Sequence, residues 1–319
     1  MSDQSGFLLV QSLADLPGRL RGGVVAIGNF DGVHLGHQGL LGGALDYARE
    51  NDCPALVMTF EPHPRTLFRP DHPVFRLTSP QQKAELFEVM GFDGELQLTF
   101  DRAFAAIPAA AFIDDILVDA LNVRHVVTGA DFHFGAKRQG TPEFLREASR
   151  ERDLGVTQIE PVLDETGKVI SSSRVRACLA EGDIAGANAL LGRRWQVRET
   201  VLKGRQVGRE IGYPTANVIL APETKLRHGI YAVRAIRANG EVHDAVASFG
   251  TRPTFDDGAA ILETFLFDFA GDLYGEELAI EFHAFLRGEE KFDSVEALVK
   301  QMDADSEAAK AILRKAAEG

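Results

Sequence analysis

The chain has 319 residues, enough for two ordinary domains, with 45% hydrophobic and 25% charged residues and a formal net charge of -13. These proportions exclude a largely disordered chain, and the acidic balance disfavours broad binding to nucleic acid or to an anionic membrane. The two cysteines, Cys53 and Cys178, exclude a disulfide framework and a Cys-based zinc site, and no apolar run approaches a membrane span. We therefore expect a soluble cytoplasmic protein without nucleic-acid or membrane partners, and we leave its oligomeric state open, a homo-oligomer included.

The first half of the chain alternates short β-rich runs with segments of helical periodicity. The predicted strands are Gly22–Gly28, Pro54–Phe60, Gly94–Phe100, His125–Asp131 and Gly155–Val162. The predicted helices are His37–Asn51, Ser79–Gly91, Pro108–Asn122, Thr141–Leu154 and Ser172–Gly182. Strands separated by helices of this length predict βαβ units, and hence a Rossmann-like α/β domain with a parallel sheet covered on both faces.

The segment "AIGNFDGVHLGHQGLL" stands at the first strand-to-helix transition and places His34 three residues before His37. Gly28 and Gly32 allow a tight turn, and the unpaired N–H groups that begin the next helix suit a phosphate. Residues three apart on a helix face the same way, so both imidazoles can reach one triphosphate. Half a zinc site and a pair of structural histidines are the alternative interpretations.

The second half of the chain differs after Trp195. Its alternating segments are Trp195–Gly204, Gly229–Gly250, Ala260–Phe269 and Leu278–Arg287. The pair Asn239–Gly240 predicts a hairpin, and strands joined by glycine turns predict an antiparallel β-barrel, with a terminal helix from Ser294 to about Ala317. Because the βα rhythm stops near 181–194, we place the domains at 1–184 and 185–319.

The segment "KGRQVGREIGYPTANV" opens this second domain. Three of its glycines recur at every fourth position: Gly204, Gly208 and Gly212. With Arg205 and Arg209 they predict a flexible cationic loop that can lie over phosphates. Thr215 and Asn217 alternate to one face of an extended chain, where a hydroxyl and an amide oxygen suit Mg²⁺ beside ATP. A plain Pro-Thr-x-Asn turn is the alternative.

Three motifs of the first domain resemble the bacterial riboflavin kinase/FMN adenylyltransferase (FAD synthetase) family, whose adenylyltransferase module is a nucleotidyltransferase of the HxGH type. They are "GNFDGVHLGH", "GADFHFGAKRQG" and "ISSSRVR". The resemblance implies that His34 and His37 hold and polarise the ATP phosphates. It further implies two sets of binding residues. Those for the nucleotide are Gly28, Asn29, Phe30, Asp31, Ser172, Ser173 and Arg176. Those for the flavin are Asp131 and Phe132.

Plainer interpretations of these motifs stay open. The serine run, in which Ser173 stands where the family usually has threonine, also fits a helix N-cap followed by solvated arginines. Asp131 also fits a turn or a cap, and "DFHFG" also fits aromatic core under a loop.

The segment "GYPTAN" resembles the riboflavin kinase signature of the same family, with Tyr213 where phenylalanine is usual. The remaining matches are 248–255, 262–278 and 285–305. The resemblance implies that Glu263 is the general base for the riboflavin 5′-hydroxyl and that Arg287 supports the flavin or nucleotide loop. An outward strand glutamate and a solvated arginine are the alternatives. Ser248 and Phe265 depart from the asparagine and histidine often found in the family.

The matches span nearly the whole chain in family order. They imply a two-activity enzyme: riboflavin and Mg-ATP give FMN, and FMN and ATP give FAD with release of pyrophosphate. The implied small molecules are ATP, Mg²⁺, riboflavin, FMN and FAD. A flavin-binding or flavin-sensing protein built on a decayed enzyme, an enzyme that retains one activity, and a nucleotidyltransferase with another acceptor are the competing hypotheses.

Overall fold

The computed structural model describes residues 6–203, 212–251 and 260–318. The chain forms two compact units, Met1–Ser171 and Ser172–Gly319. Within the described residues, no helix is long and apolar enough to cross a membrane.

The first unit is an α/β domain. Its strands are β1 (Leu8–Val10), β2 (Val24–Ile27), β3 (Ala55–Glu61), β4 (Gly94–Thr99), β5 (His125–Gly129) and β6 (Gly155–Ile159). Its helices are α1 (Leu35–Glu50), α2 (Pro64–Phe68), α3 (Pro80–Met90), α4 (Ala109–Ala111) and α5 (Pro142–Arg150). All neighbouring strands pair in parallel, in the order β1-β4-β3-β2-β5-β6. The predicted parallel sheet is confirmed.

Helices cover both faces of this sheet, which explains why β3 is an almost unbroken apolar run. One apolar cluster joins α1 and α3 to the sheet, and a second joins the α4 region and α5 to the opposite face. Two elements differ from the prediction. The edge strand β1 was not predicted, and the helix after Pro108 continues from α4 as a π-helical stretch, Phe112–Ala120.

The strand order places a topological switch point between β2 and β5. From β2 the chain runs outward through β3 and β4 on one side, whereas β5 and β6 lie on the other side. In open α/β sheets, ligands bind at the carboxyl ends of the strands beside such a point. The loop after β2 and the loop after β5 therefore flank the crevice where a ligand is expected.

The second unit is a β-barrel with helices. Its strands are β7 (Gln196–Thr200), β8 (Ala216–Ile219), β9 (Gly229–Arg237), β10 (Val242–Thr251), β11 (Ala260–Leu266) and β12 (Glu277–Arg287). Its helices are α6 (Ser172–Glu181), α7 (Ile184–Leu191) and α8 (Val295–Glu318). The antiparallel order is β7-β12-β9-β10-β11-β8. Beyond the end of β7, the N–H of Leu202 donates to the carbonyl of Asn217 on β8 at 2.8 Å, which nearly closes the barrel.

The barrel, the hairpin and the terminal helix agree with the predictions. Gly240 takes a φ of +86° in the β9–β10 hairpin, a conformation that glycine adopts without strain. Aromatic side chains such as Trp195, Tyr231 and Phe282 fill the interior. Helix α8 covers part of the outer face through a small apolar cluster built around Ala309 and Leu313.

The helix pair α6–α7 packs with the barrel. The carbonyl of Leu179 in α6 accepts from the N–H of Arg227 at 3.0 Å. The amide of Asn188 in α7 donates to the carbonyl of Phe282 at 3.0 Å and accepts from the N–H of Trp195 at 2.7 Å. The contacts thus divide the chain 13 residues before the sequence-based boundary of 184/185, at 171/172. The sequence-based boundary at 184/185, taken as the limit of two independently folding domains, stays a prediction.

Candidate active sites

The loop between β2 and α1 has unusual backbone angles. Phe30, Gly32 and Val33 have φ values of 47°, 88° and 40°. For the β-branched Val33 this is a strained conformation, and strain of this kind concentrates at ligand sites and switch regions. Gly28 allows the ring of Phe30 to fold back, since a Cβ at position 28 would approach that ring to 2.9 Å.

Asp31 and Thr78 fasten this loop to the segment before α3. The Asp31 carboxylate is 6% exposed and accepts from the N–H groups of Leu77 and Thr78 at 3.0 and 3.3 Å. The Thr78 hydroxyl accepts from the N–H of Gly32 at 3.0 Å. These bonds stabilise the strained loop, so Asp31 helps to fix the conformation of that loop.

The two histidines stack at the start of α1. His34 is the N-cap residue, and its Nδ1 accepts from the N–H of His37 at 3.2 Å. The rings lie 3.6 Å apart at 18°, with the edge of Phe30 against His37 at 5.3 Å. Because Nδ1 of His34 is an acceptor, the proton of the neutral ring is on Nε2. The pair presents imidazole groups at the positive end of the helix dipole, at the switch point.

Behind the loop lies a charged cluster that the sequence reasoning missed. The ammonium of Lys83 on α3 donates to the backbone carbonyl of Asn29 at 3.3 Å and to the Glu61 carboxylate at 2.8 Å. Arg76 pairs with the same carboxylate. Burial alone would raise the pKa of Glu61, but Lys83 and Arg76 together lower it. The position of Lys83 in the sequence could have indicated its burial, because Lys83 lies four residues before the buried Phe87 and thus on the core-facing side of α3.

A second carboxyl group, Glu95 on β4, is completely buried in the same sheet. The hydroxyl of Thr59 donates to it. Burial raises the pKa of Glu95, and the nearby Glu61 carboxylate acts in the same direction. Glu61 on β3 and Glu95 on β4 thus lie in a polar cluster, which Lys83 connects to the loop after β2.

The predicted flavin residues follow β5, the neighbour of β2. Asp131 is exposed, and its backbone carbonyl lies 2.8 Å from Nδ1 of His133. The ring of Phe132 stacks on that of Phe134 at 5.3 Å and 12°. Phe134 is buried, so the interpretation of "DFHFG" as aromatic core fits this residue. Phe132 is half-buried and packs against the edge of the core. Asp131 and Phe132 flank the same crevice as the histidines.

The remaining predicted nucleotide residues of this set are Ser172, Ser173 and Arg176, which lie in α6. They belong to the second unit, and their placement against the histidines stays a prediction. Gly204 and Gly208, together with Arg205 and Arg209, lie outside the described residues. Gly212 is described and takes a φ of 86°.

The second site lies on the outer face of the barrel, where strand register aligns five residues. We call them the outer row: Asn217, Glu263, Ser248, Ile230 and Arg287. Each is half-buried, whereas their chain neighbours Val218, Leu262 and Phe249 are fully buried inside. Alternation along a strand therefore directs the row outward. Asn217 stands directly opposite Glu263, and the hydroxyl of Thr215 donates to Oδ1 of Asn217 at 3.3 Å.

Both departures from the family pattern lie at this site. Ser248 is the other cross-strand neighbour of Glu263. Phe265 packs against the Tyr213 ring at 4.7 Å and contacts the cluster beneath α8. The apolar side chain at position 265 thus helps to pack α8 against the barrel.

The guanidinium of Arg287 is ion-paired and only partly exposed, and its proposed role beside the flavin or nucleotide loop stays a prediction. Its Nε and a terminal nitrogen donate to the two carboxylate oxygens of Asp305 on α8 at 2.9 and 2.7 Å, and the side chain is 18% exposed. Arg287 therefore joins the end of β12 to the terminal helix.

Across the described ranges, no three side chains of His, Cys, Asp or Glu converge as a metal cluster. The oxygens of Thr215 and Asn217 fit another type of site, since Mg²⁺ bound with ATP takes few protein ligands and fills its shell with phosphate and water.

The fold and the two sites define a two-domain transferase, an α/β nucleotidyltransferase followed by a β-barrel kinase. An FAD synthetase family model matches residues 17–174, and a riboflavin kinase family model matches 191–313. The bifunctional riboflavin kinase/FMN adenylyltransferase of Pseudomonas fluorescens is 41% identical over 95% of this chain and 97% of its own. The enzyme of the same description from Escherichia coli K12 is 39% identical over 89% and 90%. The chain belongs to the family of bifunctional riboflavin kinases/FMN adenylyltransferases.

A solved structure agrees in fold. A crystal structure described as a macrolide-efflux protein from Streptococcus pneumoniae is 34% identical, with a TM-score of 0.84 and coverage of 95% of this chain and 98% of that one. Its description names a different activity from those of the curated relatives. The similarity over both units nevertheless supports the two-domain architecture.

Proposed function

We propose that this chain phosphorylates riboflavin to FMN with Mg-ATP in the barrel unit and adenylylates FMN to FAD in the α/β unit. The observation that carries the proposal is the register of β8 and β11, which sets Asn217 opposite Glu263 with Thr215 alongside. A base and two hard oxygen ligands on one face are what phosphoryl transfer to a hydroxyl needs. The paired histidines at the switch point of the other unit support the second activity.

In the kinase reaction, Glu263 accepts the proton of the riboflavin 5′-hydroxyl. The hydroxyl oxygen then attacks the γ-phosphorus of ATP, the bond to the β,γ-bridging oxygen breaks, and ADP leaves. Thr215 and Asn217 hold Mg²⁺, which when bound offsets the negative charge on the phosphates. Arg287, joined to Asp305, shapes the end of the row where the flavin lies. Gly204, Gly208 and Gly212 are assigned to the nucleotide loop.

In the adenylyl transfer, a phosphate oxygen of FMN attacks the α-phosphorus of ATP and pyrophosphate leaves in line. His34 and His37 donate hydrogen bonds to the phosphate oxygens as charge develops on them. The first turn of α1 adds backbone N–H groups and a positive dipole. The strained loop of Gly28, Asn29 and Phe30 shapes the pocket, and Asp31 holds that loop.

The remaining assignments complete this pocket. Ser172, Ser173 and Arg176 are assigned to the nucleotide, and Asp131 and Phe132 to the flavin. No covalent enzyme intermediate is required, because positioning and charge stabilisation account for the chemistry.

One assay tests the proposal. Purified protein is incubated with riboflavin, ATP and Mg²⁺, and the flavins are separated by chromatography. We expect FMN and then FAD. A protein that only binds flavin gives no product, and an enzyme with the kinase activity alone stops at FMN; either result would refute the two-activity proposal.

Two variants test the division of labour. Glu263→Ala should lose at least about 100-fold in riboflavin phosphorylation yet still convert supplied FMN to FAD, because a general base contributes about that much. His37→Ala should accumulate FMN. Glu277→Ala, a change at an exposed glutamate of β12, is the matched control and should keep both activities. If either site variant lost both activities while folded, the assignment would be wrong.

A further inference from the structure

Tyr213 fastens the Thr215–Asn217 segment to the terminal helix. The residue is 8% exposed, and its hydroxyl donates to the carboxylate of Asp303 on α8. Its ring packs against Phe265 at 4.7 Å. The phenylalanine usual at this position in the family has no hydroxyl and could not make the bond.

The turn of α8 that carries Asp303 is itself fixed. Two residues further on, Asp305 is 6% exposed and takes both bonds from Arg287, and Gln301 adds a third at 3.0 Å. Arg287 lies at the β12 end of the outer row, and Asn217 lies at the β8 end. One turn of α8 is therefore bonded to Arg287 at one end of the row and, through Tyr213, to the segment that leads into Asn217 at the other end.

We propose that Tyr213 and Asp303 are positioning residues of the kinase site, whose hydrogen bond fixes where Thr215 and Asn217 present their oxygens to Mg²⁺. The inference rests on the proposed riboflavin kinase activity. Its physical basis is that Mg²⁺ demands near-ideal octahedral geometry, so a ligand segment with more freedom binds it less well. Tyr213 is two residues from Thr215, close enough along the chain for its anchoring to restrict the segment. The bond joins a phenol to a carboxylate and is therefore of the charge-assisted kind.

The test uses the full-length protein and the Mg²⁺ dependence of riboflavin phosphorylation. Tyr213→Phe keeps the ring and removes the hydroxyl. We expect the KM for Mg²⁺, at fixed ATP, to rise about three- to tenfold, the range expected for the loss of one charge-assisted bond. The kcat at saturating Mg²⁺ and the adenylylation of supplied FMN should not change.

Two further variants separate positioning from stability. Asp303→Ala should raise the KM for Mg²⁺ as much as Tyr213→Phe, and the double variant should be no worse than either, because both changes remove the same bond. Tyr231→Phe is the matched control: its buried hydroxyl donates to the carbonyl of Arg227, away from the row. That variant should unfold at a lower temperature and keep the Mg²⁺ dependence of the wild type.

Hydrogen exchange gives a readout that does not depend on turnover. Mg-ADP should slow amide exchange in 212–217, and the Mg²⁺ concentration for half-maximal protection should rise about three- to tenfold in Tyr213→Phe. Unchanged half-points, or additive effects in the double variant, would overturn the inference. Absence of riboflavin phosphorylation in the wild type would instead refute the proposed function, and the exchange half-points would still decide whether the bond positions the segment.

Discussion

At the scale of single residues, the motifs predict the groups that we propose to face ligand, but not the groups that support them. His34, His37 and Glu263 were predicted from motifs, and the structure gives them a helix start and a cross-strand partner. The support by Lys83 was missed, because a lysine in a helix is ordinarily assigned to solvent. Its contact with the carbonyl of Asn29 requires knowing that α3 passes beneath the loop after β2.

The first prediction concerns Lys83. Lys83→Met removes one of the two cations that pair with the largely buried carboxylate of Glu61 and leaves only Arg76. We therefore expect the free energy of unfolding at pH 7 to fall by about 3 kcal/mol. Urea denaturation measures it. Arg49→Met, which breaks the exposed pair with Asp46, is the control and should cost under about 1 kcal/mol. Equal losses in the two variants would contradict the role given to burial.

The pH dependence of that loss has a definite sign. The folded-state pKa of Glu61 is lower than its ordinary value of 4.5, so its contribution to stability is present above 4.5 and is lost as pH falls through the folded value. We expect the difference between the wild type and Lys83→Met to shrink below pH 4.5. A difference that stays constant down to the acid transition would show that Lys83 acts through packing alone.

The second prediction concerns Glu95, where the sign is reversed. Because burial raises its folded-state pKa, ionisation destabilises the fold as pH rises above the ordinary value of 4.5. Glu95→Gln keeps the shape and removes that titration. We expect its stability relative to the wild type to be higher at pH 7 than at pH 4.5, measured by urea denaturation at both values. The opposite order would show that Glu95 is stabilised as the anion.

At the scale of elements, prediction succeeded where a local signal and the tertiary fold agree. Ser79 is the N-cap of helix α3 and forms a capping box with Gln82, a pattern that can be recognised in the sequence. The π-helical stretch after α4 was not predicted, because apolar periodicity does not distinguish it from an α-helix. The segment that contains helix α7 was interpreted as a boundary because the βα rhythm stops there, yet the segment forms a helix that Asp183 caps through the N–H of Gly186.

The third prediction tests the cap of α3. Ser79→Ala removes the side-chain acceptor for the N–H of Gln82, and we expect a loss of about 1 kcal/mol in the free energy of unfolding. Ser294→Ala changes the serine before α8, which accepts from the N–H of Ala297, and should cost a similar amount. Thermal denaturation of both variants checks this, and a loss near zero for Ser79 would mean that Gln82 finds another acceptor.

At the scale of the whole molecule, the order of motifs predicted two domains and their folds. The parallel sheet and the antiparallel barrel follow from the change of periodicity near Trp195, which is a property of long segments. The limit between the units was harder to place, because α6 carries a first-domain motif while its backbone bonds run to the second unit. Cytoplasmic location and oligomeric state stay predictions.

The fourth prediction tests that limit with two fragments. A fragment of residues 172–319 retains α6, whereas 185–319 loses it together with the bond between Leu179 and Arg227. We expect the shorter fragment to unfold roughly 10 °C lower, since it lacks Val175 and Leu179 of α6 and exposes the apolar surface that these two buried side chains cover. Circular dichroism on heating measures the midpoints. Equal midpoints would favour the sequence-based limit at 184/185.

Asn217 serves two purposes with different atoms. Its carbonyl receives the bond that brings β8 to the extension of β7, and its side chain stands opposite Glu263. A slip of one residue would turn every side chain of β8 to the other face, so a barrel paired in the wrong register would not place the amide of Asn217 opposite Glu263. Riboflavin kinase activity would then report only the molecules in which β8 has paired in the native register.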